Sequence, residues 1–197
     1  MMTTLSRDPS RSSYYVSDEF YTQLVARFSD WQREELAVTD AAERDQFRRL
    51  IEREARVLDQ MDYESWLKLY VPECIYWAPS TPNRGDPRRE IAVMFDDRRR
   101  LEDRIYRLRT GYAWSQAPQS RTVRLVTNVE TFTCGDDDAR MVRSNFQINE
   151  FWDGEMRLLA GWAGHHFVKH EGEWLIAAKQ INLIECDRSL RNPSIIL

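Results

Sequence analysis

Apolar and polar positions change period once along this chain. From Phe20 to Met61 the apolar residues recur every three or four positions, and beyond Arg121 they recur every second one. The first spacing marks amphipathic helices and the second half-buried strands. Ser17 stands as an N-cap, with Asp18 and Glu19 in the favourable first turn, and Phe20, Leu24, Phe28 and Trp31 form the apolar face of a first helix. After a break at Val38–Thr39, Asp40 and Glu43 resemble a capping box, and Phe47, Leu50, Ile51, Leu58 and Met61 mark a second helix. Asp62 caps a third, Tyr63 to Tyr70, which Pro72 stops.

Cys74 to Trp77 reads as a short strand, and Pro79 to Pro87 as an irregular loop around Gly85. Phe95 to Arg109 is predicted helical, with Leu101, Ile105 and Leu108 on one face and Gly111 as its C-cap. The strands follow. Arg121–Thr133 alternates, placing Val123, Leu125, Thr127 and Val129 together. Met141–Trp152 alternates again and ends at Asp153–Gly154, a strong hairpin signal. Leu158–Lys169 and Trp174–Cys186 are joined around Glu171–Gly172. Helices first and then hairpin-linked strands predict an α+β fold, with the helices on one face of a bent sheet.

The last two strands lack a clean polar face. Trp162 and Val168 oppose Ala163 and Phe167, while Trp174, Ile176 and Ile184 oppose Leu175, Ile181 and Leu183. A sheet covered on one side alternates apolar with polar, so something covers the second face, either more of this chain or, as the preferred candidate, a partner subunit.

Length adds that 197 residues make one domain, expected over residues 17–197 behind a loose polar arm, 1–16. Such a chain needs no disulfide or metal to fold. Charged residues at 30% leave a net charge of −4, no footprint for nucleic acid or an anionic membrane. No apolar stretch approaches the roughly 20 residues of a membrane span, and Met1–Ser13 lacks a signal-peptide core. The expected location is the cytosol. Cys74, Cys134 and Cys186 lie far apart, without zinc or redox spacing, and read as reduced, mostly buried thiols. Met61, Met94, Met141 and Met156 read as fillers of core gaps, and burial is the default for the dispersed tryptophans.

Redox cofactor motifs are missing. A Rieske centre needs paired Cys and His ligands, and His165 and His166 are adjacent on a strand, so they point to opposite faces. No phosphate loop or nucleophile elbow occurs. Acid–base chemistry remains: His165 or His166 with Asp59, Asp62 or Tyr70 could move a proton, although a histidine between Gly164 and Phe167 reads first as a satisfied core or interface residue. His170 reads as a solvated turn residue. Arg98–Arg99–Arg100 invites an anion or partner site, against the plainer reading of a solvated helix face paired with Asp96, Asp97, Glu102 and Asp103.

Several strings together resemble one family. Leu58-Asp-Gln-Met-Asp-Tyr-Glu-Ser-Trp-Leu67 and Tyr76-Trp-Ala-Pro79 are similar to the opening of the small (beta) subunit of aromatic-ring-hydroxylating dioxygenases. Asp96-Asp97, Leu101, Arg104 and Leu108, running into Thr110-Gly-Tyr-Ala-Trp114, Gln116, Pro118, Ser120-Arg121, Arg124 and Asn128, look like its central signature. Arg191-Asn-Pro-Ser-Ile-Ile-Leu197 is similar to its apolar tail. The resemblance implies a cone-shaped α+β fold like nuclear transport factor 2 and scytalone dehydratase, with N-terminal helices on a strongly curved antiparallel or mixed sheet.

It also implies assembly with a larger alpha subunit, commonly as three of each chain, with this chain trimerising at the centre. The alpha subunit would carry the Rieske [2Fe-2S] cluster and mononuclear Fe(II), and this chain no catalytic, metal or cofactor residues. Electrons would come from NADH through a reductase and often a ferredoxin, and the complex would convert an aromatic ring to a cis-dihydrodiol. Biphenyl-, benzene-, naphthalene- and arylcarboxylate-type substrates all stay open. Arg98, Trp114, Arg121, Ile195, Ile196 and Leu197 are then the expected subunit contacts. The alternatives are a free-standing dehydratase or isomerase with a His/Asp pair in the cone, and a non-catalytic small-molecule binding module.

Overall fold

Helix boundaries follow from local chemistry. A computed structural model of the chain describes residues 18–82 and 86–197, so the arm, the Ser17 cap and Gly85 lie outside the described residues. Helix α1 spans Asp18–Arg27. Three aspartates start the other helices by accepting a main-chain N–H three residues on. Asp40 accepts from Glu43 at 2.8 Å and opens α2 (Ala41–Asp59). Asp62 accepts from Ser65 at 3.1 Å and opens α3 (Tyr63–Leu67). Asp97 accepts from Arg100 at 2.8 Å and opens α4 (Arg98–Thr110), which Gly111 ends in the left-handed region at φ 77°.

Several boundaries differ from expectation, beginning with α1 and α2, which end before Phe28 and Met61 respectively. Helix α3 ends at Leu67, and strand β1 already runs from Tyr70 to Pro79, with Pro72 where the β1 register slips. Proline is tolerated there because a bulge leaves its missing N–H without a ladder partner. Residues expected to begin α4 instead end a strand, β2 (Ala92–Asp97), which pairs antiparallel with β1.

The remaining strands are β3 (Arg121–Thr133), β4 (Ala139–Trp152), β5 (Glu155–His170) and β6 (Glu173–Leu183). Both hairpin signals form with positive φ at the two central residues, Asp153–Gly154 and Glu171–Gly172, as a type I′ turn needs. The six strands lie in the order β2-β1-β6-β5-β4-β3, and the β1–β6 pair is parallel, so the sheet is mixed.

Helix α2 fills the concave side. Phe47, Ile51 and Leu58 pack there with Val142, Ile148, Phe167, Ile176 and Ile181. Helix α1 does not join it. Leu24 packs with Ile75, Trp77 and Ala178 on the opposite face, where Phe28 and Trp31 cover Phe132, Met141 and Trp162. The helices therefore sandwich the sheet, and part of the expected second cover is the chain itself.

Bulges revise the strand faces. Phe167 pairs with Ile176 and His166 with Ala178, leaving Ala177 as the extra residue. This shift puts Ile176 on the inner face with Ile181 and Leu183, although strict alternation set them apart. A second slip, between Thr127 and Glu130 with Asn128 at φ 52°, leaves Val123 and Leu125 on the outer face, 58% and 54% exposed. Met94 and Met141 are buried as expected, but Met61 and Met156 are 40% and 65% exposed. Both sit at element ends, where no second layer reaches them. Cys74 and Cys186 are buried and Cys134 partly so; burial pushes the Cys74 thiol up to about 12. Among the described residues no helix is long and apolar enough to cross a membrane.

Gly161 sits where β5 and β6 approach too closely for a side chain: an added Cβ would lie 2.1 Å from the Asn182 carbonyl oxygen. The neighbour is backbone, so it cannot rotate away. We expect Gly161→Ala to destabilise by at least the roughly 1–3 kcal/mol of ordinary overpacking, measured by urea unfolding.

Candidate functional site: a buried carboxylate beneath the C-terminal tail

The concave side holds a strongly polar cluster around Glu54. Glu54 projects from α2 on the apolar stripe of Phe47, Ile51 and Leu58 and is 3% exposed. Its Oε1 accepts from Trp66 Nε1 at 3.1 Å and from the Tyr70 hydroxyl at 2.7 Å. Its Oε2 accepts from Lys179 Nζ at 3.0 Å and lies 3.0 Å from His165 Nε2. Four donors occupy the roughly four lone-pair sites of an ionised carboxylate.

Electrostatics follow this arrangement. Burial is the largest influence on Glu54 and would raise its pKa, but the Lys179 charge, His165 and Tyr70 together outweigh it and hold the carboxyl well below its usual range. Burial lowers the pKa of His165 and of Lys179, with the Glu54 carboxylate opposing in both cases. His165 is therefore a neutral donor on a Glu54–Lys179 ion pair. Burial, and then the Glu54 charge, push the Tyr70 phenol well up, so it stays a donor.

The chain's own tail closes the space above. Leu197 offers its main-chain oxygen to the Tyr76 hydroxyl at 2.5 Å and to Lys179 Nζ at 3.1 Å. Arg124, paired with Asp59, donates to the Ile196 carbonyl. Arg104, paired with Asp96 at 2.6 Å, donates to the Pro193 carbonyl at 3.2 Å, and Ser115 bonds Ser194. Below the tail remains a cavity of about 30 Å³ between Glu54, Arg124, Ser144, His165, Lys179 and Leu197, room for about one water molecule.

The expected site residues separate. His165 and Tyr70 meet at Glu54, a carboxylate that the sequence reading did not single out. Its position three after Ile51 and four before Leu58, on a buried helix face, was the available signal. Asp59 is instead committed to Thr122 and Arg124, and Asp62 to its cap. His166 points to the other face, where burial, and then the Arg27 charge, lower its pKa to about 4.

Contact candidates separate as well. Trp114 is 84% exposed, and Arg121 lies on the outer face with its guanidinium 4.8 Å from the Phe151 ring centre. Arg98 turns inward, donating to the Leu67 and Tyr70 carbonyls at 2.8 and 3.1 Å and pairing with Glu102. Ile195, Ile196 and Leu197 are 3–4% exposed within the chain's own core. Trp114 corrects the default that tryptophans are buried. Among the described residues no three His, Cys, Asp or Glu side chains gather so as to hold a metal ion.

A mixed sheet curled over α2, with its mouth filled by the tail, is a cone of the nuclear-transport-factor-2 class. An NTF2-like protein with a cystatin-like fold from Novosphingobium aromaticivorans superposes with a TM-score of 0.52 at 14% identity, over 78% of this chain and 88% of that one. The chain belongs more narrowly to the ring hydroxylating beta subunit family, whose model matches residues 53–187. It is similar to the 2-halobenzoate 1,2-dioxygenase small subunit of Burkholderia cepacia, 38% identical over 40% of this chain and 50% of that one. The chain spans about half the length of this and the next curated relatives it matches. The beta subunit of the benzoate 1,2-dioxygenase from Burkholderia mallei superposes with a TM-score of 0.61 at 23% identity, over 79% and 98% of the two chains. A naphthalene 1,2-dioxygenase structure with indole bound gives 0.68 at 22% identity, over 92% and 95%.

Removing Glu54 strands Lys179. Glu54→Ala should cost about 3–5 kcal/mol, as breaking other buried pairs does, read from urea midpoints at neutral pH. Acid should act in two ranges. His165 and His166 stay neutral when folded but take a proton when unfolded below about pH 6.5. Stability therefore declines on acidification from there to about 4, the lowered His166 value. Glu54 adds a further loss below its ordinary 4.5, as pH falls toward its depressed folded value. Urea titrations across this range should show both slopes, with the lower one diminished in Glu54→Ala.

Proposed function

We propose that this chain is the non-catalytic, structural subunit of the terminal oxygenase of an aromatic-ring-hydroxylating dioxygenase. It acts in the cytoplasm, self-associates as a trimer and holds larger alpha subunits in a ring, three of each. The alpha subunits carry the Rieske [2Fe-2S] cluster and mononuclear Fe(II), which supply the oxygen chemistry that yields a cis-dihydrodiol. NADH reaches them through a reductase and ferredoxin. Family membership supports the assembly, and relatives named for halobenzoate, toluate and benzoate dioxygenases favour arylcarboxylate-type substrates among the classes left open.

The observation that carries the structural role is the saturation of Glu54. A general base needs a free lone pair within reach of substrate, and every oxygen site on this carboxylate is occupied by a donor of the same chain. A His/Asp dehydratase needs an open cone, whereas this one leaves about 30 Å³. The exposed loop bearing Tyr112 and Trp114, 65% and 84% accessible, suits docking of the large subunit, since aromatic side chains dominate interface energetics.

Co-expression with the large subunit tests the reading. We expect an iron-containing hetero-oligomer in native mass spectrometry, and large subunit that loses soluble assembly without this chain. Trp114→Ala should weaken the complex by 2 kcal/mol or more, roughly thirtyfold in Kd, while leaving this chain's unfolding midpoint unchanged. A chain that ignores the large subunit and turns over a dehydratase substrate alone would overturn it.

A further inference from the structure

The mouth of the cone is closed by a segment rather than by an element. After β6 ends at Leu183 the chain forms no further helix or strand. Side chains hold the main-chain oxygens of the segment: Pro193 by Arg104, Ile196 by Arg124, and Leu197 by Tyr76 and Lys179. Each cation in that set also keeps an acid of its own, Asp96 for Arg104, Asp59 for Arg124 and Glu54 for Lys179. The segment can therefore leave without stranding a buried charge, which is what makes other buried pairs so costly to break. Conformational entropy favours its departure, and segments outside helices and sheets open locally at the low end of the stability range.

What the segment covers is built as a ligand pocket is. Beneath Leu197 lies the cavity of about 30 Å³, walled by Ile51, Leu58, Phe146 and Ile148 and by the polar Ser144, itself 2% exposed. The Ser144 hydroxyl has no hydrogen-bond partner among the described residues. An open groove of about 550 Å³ between α2 and β3 shares Ala55, Arg124 and Val126 with this cavity, so those residues part the buried space from solvent. Ligand sites combine mainly apolar walls with a few convergent polar groups. With Ile195–Leu197 withdrawn, the cavity, the space of three large apolar residues and the groove beside Arg124 join into one such site.

We infer that Ile195–Leu197 is a displaceable plug on a binding site for a small apolar molecule ending in an acceptor oxygen, carbonyl or carboxylate. The plug displays the chemistry that the site takes, since its branched side chains fill the apolar part and its main-chain oxygens meet the donors. Those donors select the ligand. Lys179 and Arg124 have no acceptor capacity, so an amine would meet only donors and like charge. A hydrocarbon would leave the Tyr76 hydroxyl, Lys179 and Arg124 each short of a partner in a buried site. Ligand and plug compete for the same donors, so binding turns the segment outward. The opened site binds without moving protons, because Trp66, Tyr70, His165 and Lys179 hold Glu54 with no help from the segment. The inference therefore stands apart from the structural-subunit reading.

The test is calorimetric titration of the full chain with 4-methylpentanamide and 4-methylpentanoate, against 4-methylpentylamine, which carries the same apolar body on a cation. Hydrogen exchange of the peptide holding residues 193–197 is followed alongside. In wild type, a saturating oxygen probe should speed that exchange, since displacement bares the segment, whereas a ligand lodged in a sealed core would slow it. Leu197→Ala loosens the plug and keeps its main-chain oxygen, with Ile195→Ala as the second variant should the first not fold. Apparent affinity follows the open fraction, so we expect the folded variant to bind at least one oxygen probe about tenfold more tightly than wild type. Adding Tyr76→Phe should cancel most of that gain. The ratio of amide to carboxylate reads the charge preference, and binding of either with faster exchange upholds the site. Binding with slowed or unchanged exchange, equal binding of the amine, or no binding to wild type and folded variant alike would overturn the inference.

Discussion

One ionised carboxylate in the middle of an apolar cone organises the rest. Glu54 ties together α2, α3, β1, β5 and β6 through Trp66, Tyr70, His165 and Lys179. A buried charge persists only when paired and fully hydrogen-bonded, so each of these elements must sit within hydrogen-bond reach of the same two oxygens. Removing any one donor leaves a buried lone pair exposed to nothing. The network thus sets position among elements that hydrophobic burial alone would let slide.

The tail extends that logic to the mouth of the cone. Lys179 serves Glu54 and Leu197 together, and Arg124 joins Asp59 to Ile196. Two cations paired with acids on α2 thereby also cap main-chain oxygens that enter the core, where an unpaired carbonyl would be costly. Arg104 repeats the arrangement between Asp96 and Pro193. Several residues of the central signature, Asp96, Arg104 and Arg124 among them, thus hold the chain's own C-terminal segment.

Much of the architecture was legible along the chain. The 3.6 and 2.0 periods located α2 and β3 to β6, the capping aspartates Asp40 and Asp62 set two helix starts, and Asp153–Gly154 and Glu171–Gly172 set two hairpins. Strand β2 escaped because Ala92–Asp97 is short and runs without a turn into α4. The face assignments failed where bulges intervene, at Ala177 and near Asn128. One inserted residue reverses every side chain beyond it, and no residue type marks such a site reliably.

By itself the sequence determined the fold class, the resemblance to a family of small subunits, and the opposed directions of His165 and His166. These rest on local periodicity and on ordered strings, which the chain carries in one dimension. Only the tertiary structure decided that Glu54 rather than an aspartate meets His165, 111 residues away. It also decided that Ile195–Leu197 turn inward, and that the second apolar face is half covered by Phe28 and Trp31. Each of those outcomes depends on which distant groups can satisfy a buried charge, carbonyl or apolar surface, and that choice exists only once the strands are in register.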